Sequence, residues 1–294
     1  MNKIIFWNAE HLSPRAADIA EDAAGKLDLR IKAAQTHATS WITRQKPTRA
    51  TTRALTAKIT KPGLRTERTE VNLYILLEET RKKAERLRNK LQLSEDLVHS
   101  AQHTFFCEVN ADHPDARSPL VGGAAAGGAT LCYAHYQGGV STDFSNCPIT
   151  DGWYVPGGAP IPAMSRVPRG VVINGSRGAA AGQAVRFCFW HAPSGNDGTI
   201  VAQMANGLDA GGHPFVLFGD LNAEPSDYEA NLAVGVSILR PPGSTRISGR
   251  MLDYAVTNSP NLFHGCRPLY TGEKNYEIKQ KTGSDHMVMI FELK

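Results

Sequence analysis

Several short apolar runs in this 294-residue chain stop on residues that a protein interior has no use for. "FWN" stops at Asn8, "LYILLEE" at Glu79, "RFCFWH" at His191 and "LFGDLN" at Asp220 and Asn222. Asp253 opens "LDYAVT", and "GSDH" sets Asp285 and His286 just ahead of the last run. This set has the parts for hydrolysing a phosphate ester. Glu79 with Asn8 offers oxygen ligands that suit Mg2+, an ion that binds through one or two carboxylates and keeps waters and substrate phosphate as the rest of its shell. Two histidines partnered by carboxylates supply a general base and a group to neutralise charge developing on the phosphoryl oxygens. The Asp-x-Asn pair gives one acceptor and one amide to orient the attacking water and a phosphoryl oxygen. No serine or cysteine nucleophile motif competes with this set.

Each piece alone also has a plain structural use. Asp-x-Asn after a strand makes a turn or opens a helix, and "NAEPSDYE" has the form of a helix start. A single histidine at a strand end can be structural, Asp285 can cap a turn, and Glu78 or Glu79 can sit at a helix start where the dipole favours a negative charge. The chemical reading therefore needs the strand ends to share one rim of the domain.

The elements that would have to position these residues come in mixed order. "KIIFWN" reads as a first strand, residues 13–40 as mostly helical, and "EVNLYILLEE" as a second buried strand followed by a helix of about 15 residues. "HTFFCEV", "GATLCYAHY", "GVVING", "AVRFCFWHA", "FVLFGDLN", "LDYAVT" and "MVMIFEL" read as further strands, and "DGTIVAQMANGLDA" has helical spacing at Ile200, Met204 and Leu208. Strict βα alternation is missing. The expectation is an α+β fold, a four-layer α/β/β/α sandwich of two packed mixed β-sheets flanked by helices. We read residues 1–294 as one catalytic domain, and 41% hydrophobic residues are ample for its core.

Charge is unevenly spread. Residues 41–90 hold fourteen Lys or Arg against five Glu, a local +9 in a chain of net charge +4, which leaves −5 for the remainder. Such a block points to a polyanionic partner, or to a solvated helix face in "EETRKKAERLRNKLQL". The stretch at about 36–69, rich in Thr, Arg and Lys and poor in apolar periodicity, reads as an exposed basic insertion. Five widely spaced cysteines with no CxxC pair argue against a zinc cluster or a dense disulfide framework. The opening "MNKIIFWNAEHL" has only a four-residue apolar run and no small-residue cleavage site, so the expectation is a chain made without a secretory signal, cytoplasmic as synthesised. No stretch approaches the roughly 18 apolar residues of a membrane span.

In order along the chain, W-N, a strand ending in Glu, a strand ending in His, G-D-L-N, L-D-Y-A-V and S-D-H resemble the endonuclease/exonuclease/phosphatase superfamily, the Mg2+-dependent fold of pancreatic-type deoxyribonuclease. Within it, "FWHAPSGNDGTIVAQM", "GDLNAEPS", "LDYAVTNS" and "SDHMVM" look most like the catalytic-subunit family of the cytolethal distending toxins. The resemblance implies His191 as general base or acid, with Asp220 and Asn222 orienting water and phosphate. It implies His286 at the scissile phosphate, Asp253 paired with His286 or seating a second cation, and Asp285 beside the metal. Glu79 stands as principal metal ligand where the family has Gln-Glu; Glu78 replaces the Gln, which leaves either carboxylate to face the ion. Arg166 in "SRVPRGVV" matches the family's phosphate-gripping arginine, with Arg169 as second choice, and a guanidinium suits bidentate phosphate binding. The chain departs from the pattern in its long Asn8-to-Glu79 spacing and in the Gly-, Ala- and Pro-rich segment Asn110–Arg166, where the family's Tyr and Glu beside the base are not recognisable.

The function this implies is a Mg2+-dependent phosphodiesterase, with Mn2+ or Ca2+ as alternative ions, nicking DNA without sequence preference and acting as a genotoxin or effector delivered by a secretion machine. DNA is the expected substrate, and a cognate inhibitor or delivery partner the expected protein partner. The alternatives are a phosphatase of the same fold acting on phosphoinositides or other phosphomonoesters, and a non-catalytic nucleic-acid-binding member.

Overall fold

The structure, a computed structural model, describes residues 3–34, 67–101, 103–109, 131–136, 168–174, 184–273 and 275–294. Two compact units divide the chain: Met1–Leu12 with Lys90–Lys294, and Ser13–Asn89.

The first unit holds two five-stranded sheets. Numbered in chain order, one contains β1 (Lys3–Leu12), β2 (His103–Val109), β3 (Leu131–Tyr136), β9 (Phe263–Pro268) and β10 (Met289–Leu293), arranged β3-β2-β1-β10-β9. The other contains β4 (Arg169–Asn174), β5 (Ala184–His191), β6 (Phe215–Asp220), β7 (Ser237–Leu239) and β8 (Asp253–Thr257), arranged β4-β5-β6-β8-β7. Both sheets are mixed: β1 runs parallel to β2 and β5 parallel to β6, while β10 and β8 join antiparallel. The α+β class with two packed mixed sheets is as the sequence leads one to expect.

Alternation with a period of two turns one set of side chains from each sheet toward the other. Ile4 and Phe6 of β1, Phe105 of β2, Phe189 of β5, Phe218 of β6 and Phe291 of β10 share one buried cluster. Phe218 sits at its centre, with ring centroids 4.7 Å from Phe105, 5.8 Å from Phe189 and 5.9 Å from Phe291. The opposite face of the second sheet carries Cys188, Trp190, Leu217 and Val256, covered by Val201, Met204, Ala205 and Leu208 of a helix, α3 (Thr199–Ala210).

In the second unit, α1 (Pro14–Ala34) packs antiparallel to the early turns of α2 (Glu67–Ser100), through Ala24, Leu27, Ile31 and Leu77. Arg81–Asp28 at 2.8 Å and Arg88–Asp18 at 2.7 Å tie the two helices across their exposed edge. Here the sequence reading needs a correction. "EVNLYILLEE" is helix, not strand, and the helix runs 34 residues rather than about 15. An unbroken apolar run fits a buried strand and a buried helix face equally well. Burial follows the helical period, with Ile75, Leu77 and Ala84 inside and Tyr74 40% exposed. The short β7, β9 and the helix α5 (Asn275–Thr282) are additions to the elements read from sequence, and α4 (Pro225–Tyr228) is the helix start seen in "NAEPSDYE".

Among the described residues, no helix is long and apolar enough to cross a membrane. Cys107, Cys188 and Cys266 are buried. The basic stretch at about 36–69 lies outside the described residues, apart from Glu67–Thr69 at the start of α2.

Candidate active site

Register brings the first residues together. In the second sheet, His191 pairs with Asp220 across β5–β6, and Asp220 with Asp253 across β6–β8, so the three stand in one row. They lie two positions beyond Phe189 and Phe218, and two before Ala255, on the face those residues turn toward the other sheet. From that other sheet comes Asn8, two positions beyond Phe6, whose Nδ2 donates to Asp220 Oδ2 at 2.9 Å. The apolar core thus ends in a polar floor fed by both sheets, with Asn8, His191, Asp220, Asp253 and His286 all buried.

The backbone at this rim is bent into rare conformations. Gly219 has φ 141°, and a Cβ there would stand 2.0 Å from the Trp190 carbonyl oxygen, so only glycine fits in "GDLN". Asn222 has φ 51°; its N–H donates to Asp220 Oδ1 at 3.1 Å, and its Nδ2 donates to the Ala192 carbonyl at 2.9 Å. Glu10 (φ 43°) and Glu108 (φ 58°) flank the point where β1 and β2 slip register between Asn8 and Leu12. Left-handed backbone at non-glycine residues is strained, and such strain clusters at functional sites. Beneath the turn after β6, Tyr228 Oη donates to Tyr254 Oη, which donates to the Ala223 carbonyl.

His286 is held from three directions. Its Nδ1 lies 3.0 Å from both oxygens of Asp253, and its Nε2 lies 3.8 Å from Asp220 Oδ2 and 3.5 Å from Asp285 Oδ1. Burial opposes the charged ring, but Asp253, Asp220 and Asp285 outweigh it and push its pKa up to about 10, leaving an imidazolium at neutral pH. Asp220 goes the other way for a carboxylate: burial and the nearby Asp253 charge raise it to about 7, against the pull of His286, Asn8 and Asn222. His191 Nε2 stands 3.6 Å from Asp220 Oδ2 and 3.5 Å from Glu108 Oε1.

The loop carrying Asp285 and His286 is pinned by small hydroxyls. Ser284 Oγ donates to the Asn8 carbonyl at 2.9 Å and accepts the His286 N–H at 3.1 Å. Thr245 Oγ1 accepts the N–H groups of Leu252 and Asp253, both at 2.9 Å. Asp285 N–H donates to Glu10 Oε2 at 2.8 Å, and its Oδ2 accepts Arg246 Nε and Nη2 at 2.9 and 2.7 Å. Its other oxygen, Oδ1, is buried without a hydrogen bond. Burial raises Asp285, but its bonds to Glu10 and Arg246 hold it below its usual value; burial and the side-chain interaction with Asp285 raise Glu10 above its own.

Of the residues expected from sequence, Asn8, His191, Asp220, Asn222, Asp253, Asp285 and His286 come together. Glu79 does not belong to a strand end. It is an exposed residue of the α2 helix within Ser13–Asn89, next to Glu78, which pairs with Arg81 at 3.4 Å. The strand beside β1 that carries a glutamate next to its last residue is β2, at Glu108. Arg166 lies outside the described residues, as does the side chain of Arg169, whose backbone opens β4. Glu10, Glu108, Thr245, Arg246 and Ser284 were missed by sequence reasoning. Glu108 had a signal, since "HTFFCEV" carries an acid next to its last residue, and Ser284 opens the S-D-H motif; Thr245 and Arg246 had none.

The donors left for a cation are oxygens. Glu10 and Asp285 are joined through the Asp285 N–H, Glu108 stands against His191, and carboxylate oxygens such as the unsatisfied Asp285 Oδ1 suit a hard divalent ion. Asp220, Asp253 and His286 also offer ligand atoms within 4.8 Å of one another. A protonated His286 bound to Asp253 is a poor ligand, which favours the Glu108 side.

No family model matches the chain. A 76-residue segment is 37% identical to a cytolethal distending toxin subunit from Escherichia coli, covering 24% of this chain and 28% of that protein, so it spans little more than a quarter of that relative. Among solved structures, the cytolethal distending toxin of Haemophilus ducreyi aligns over 66% of this chain and 86% of that one at 14% identity, TM-score 0.39. An endonuclease/exonuclease/phosphatase family protein from Bacteroides thetaiotaomicron aligns over 99% of this chain and 96% of that one at 11% identity, TM-score 0.47.

Proposed function

We propose that this chain is a metal-dependent phosphodiesterase of the endonuclease/exonuclease/phosphatase type that hydrolyses the DNA backbone. The observation that carries the reading is the row His191–Asp220–Asp253 closed by His286 and Asn8, with Glu108 against His191 and Glu10 bonded to Asp285. These three carboxylates would hold the ion, Mg2+ by their all-oxygen donors, with Glu108 in the place first given to Glu79. Asn8 would serve beside it, since its amide already bonds Asp220 and the Glu10 N–H. Bound there, the cation supplies charge neutralisation at the phosphoryl oxygens.

The protein's own part follows from the protonation states. Asp220, raised to about 7 and lying between the two histidines, orients the attacking water and takes its proton. His286, kept protonated by Asp253, faces the developing negative charge as a fixed donor that needs no reorganisation. His191 is the second donor or acceptor at the phosphate, held against Glu108 and Asp220. Asn222 clamps the turn after β6 to Ala192 and fixes Asp220 through its N–H. Arg166 or Arg169 grips a neighbouring phosphate. Backbone contacts of this kind carry no sequence information, so cleavage should be nonspecific and strongly salt-dependent. The partial identity to a toxin component supports an effector role.

The test is relaxation of supercoiled plasmid with Mg2+ and with chelator, beside a phosphoinositide phosphatase assay. Nicking that needs the ion and is lost in His191→Ala is expected. Phosphate release from inositol lipids with intact plasmid would move the assignment to the phosphatase reading.

A further inference from the structure

Lys90 is 3% exposed, and it lies where β1 bends. Its Nζ donates to the carbonyl of Ala9 at 2.8 Å and of Glu10 at 2.9 Å. These are the two residues after Asn8, in the stretch where β1 slips against β2 and Glu10 takes φ 43°. Nearby stand Glu10, Glu108 and Asp285, the three carboxylates that act most strongly on its charge; Lys279 opposes them. Burying an ammonium is costly unless it is paired and hydrogen-bonded, so an apolar residue here would be the cheaper filling for a merely structural position. Carboxylates such as the bonded pair Glu10 and Asp285 carry the opposite problem. Arg246 answers part of it, paired with Asp285 at 2.7 Å.

We propose that Lys90 is a built-in counter-cation and positioning residue: it holds the bent end of β1 by its two carbonyls and offsets the charge of Glu10, Glu108 and Asp285, so that the site forms before a divalent ion binds and its affinity for that ion is moderated. This rests on the assignment of those carboxylates as the metal seat. The lysine touches no substrate in this scheme. Its effect is on the shape and charge of the groups that do.

Lys90→Gln separates the two roles, because an amide can still donate to the carbonyls while the charge is gone. In EDTA, Lys90→Gln should lower the melting temperature, and the loss should shrink by half or more when Glu108→Gln is also present. Titrated with Mn2+ followed by electron paramagnetic resonance, folded Lys90→Gln should bind the ion about tenfold more tightly than wild type, the order expected for loss of one unit charge a few ångströms from the ion. Lys90→Arg should match wild type in both. Melting losses that are equal with Glu or Gln at position 108, or an unchanged Mn2+ affinity in Lys90→Gln, would overturn the proposal. So would failure of Lys90→Gln to fold in both backgrounds while Glu108→Gln alone folds. Wild-type protein that binds no Mn2+ would instead sink the metal-seat reading, and the EDTA coupling would still decide the charge-balancing role.

Discussion

The middle of the two sheets and their rim are made by the same strands, and they make opposite demands. Phe218 and Asp220 are two residues apart on β6 and turn toward the same side. Phe218 is surrounded by rings and asks only for volume and water exclusion. Asp220 is equally buried, yet it is a carboxylate crowded by Asp253 and answered by Asn8 and His286. The core residue stabilises the fold and does no chemistry. The rim residue is costly to the fold, and its use is the chemistry proposed for it.

That contrast can be broken by exchanging the two behaviours. Asp220→Asn should lower plasmid nicking by about a thousandfold or more, the scale of removing a group made for the transition state, while metal-free melting stays level or rises. An Asp220→Asn protein that nicks normally would end the distinction. Phe218→Ala should do the reverse, costing about 3–5 kcal/mol in denaturant unfolding, with turnover per folded molecule changed by only a few-fold.

A third measurement sharpens the electrostatic side. His286 has a folded pKa of about 10, above the ordinary 6.5, so its contribution to stability is full below the ordinary value and is lost as pH rises through about 10. In EDTA, the melting-temperature advantage of wild type over His286→Asn should therefore fade between about pH 6.5 and 10. An advantage that grows over that range would mean the ring is not held protonated by Asp253. The smallest effect belongs to the helical unit, where Arg88→Ala removes exposed pairs to Asp18 and Glu21. Thermal melting should hardly move, as for most surface ion pairs.

Much of this was legible in the residues. Alternating apolar runs that stop on Asn8, His191 and Asp220 are enough to place a polar rim at one end of strands, because a period of two carries one face of each strand from the core to its end. Glu79 shows where such reading fails. Its apolar run has no alternation to distinguish strand from helix, and the helix won because α1 offers a matching apolar face in Ile31, Leu27 and Ala24. Glu108 was available at the end of a correctly read strand, but its approach to His191 depends on the slip between β1 and β2, which follows from neither strand alone.

By itself the sequence determined the α+β class, the apolar faces and the chemical types at the strand ends, since these depend on local periodicity and side-chain chemistry. Only the tertiary structure decided which carboxylates gather, which proton His286 keeps and why Lys90 is buried. Those depend on distances between residues up to 276 positions apart, as in the Ser284 bond to Asn8, and charge interactions are set by such distances rather than by order along the chain.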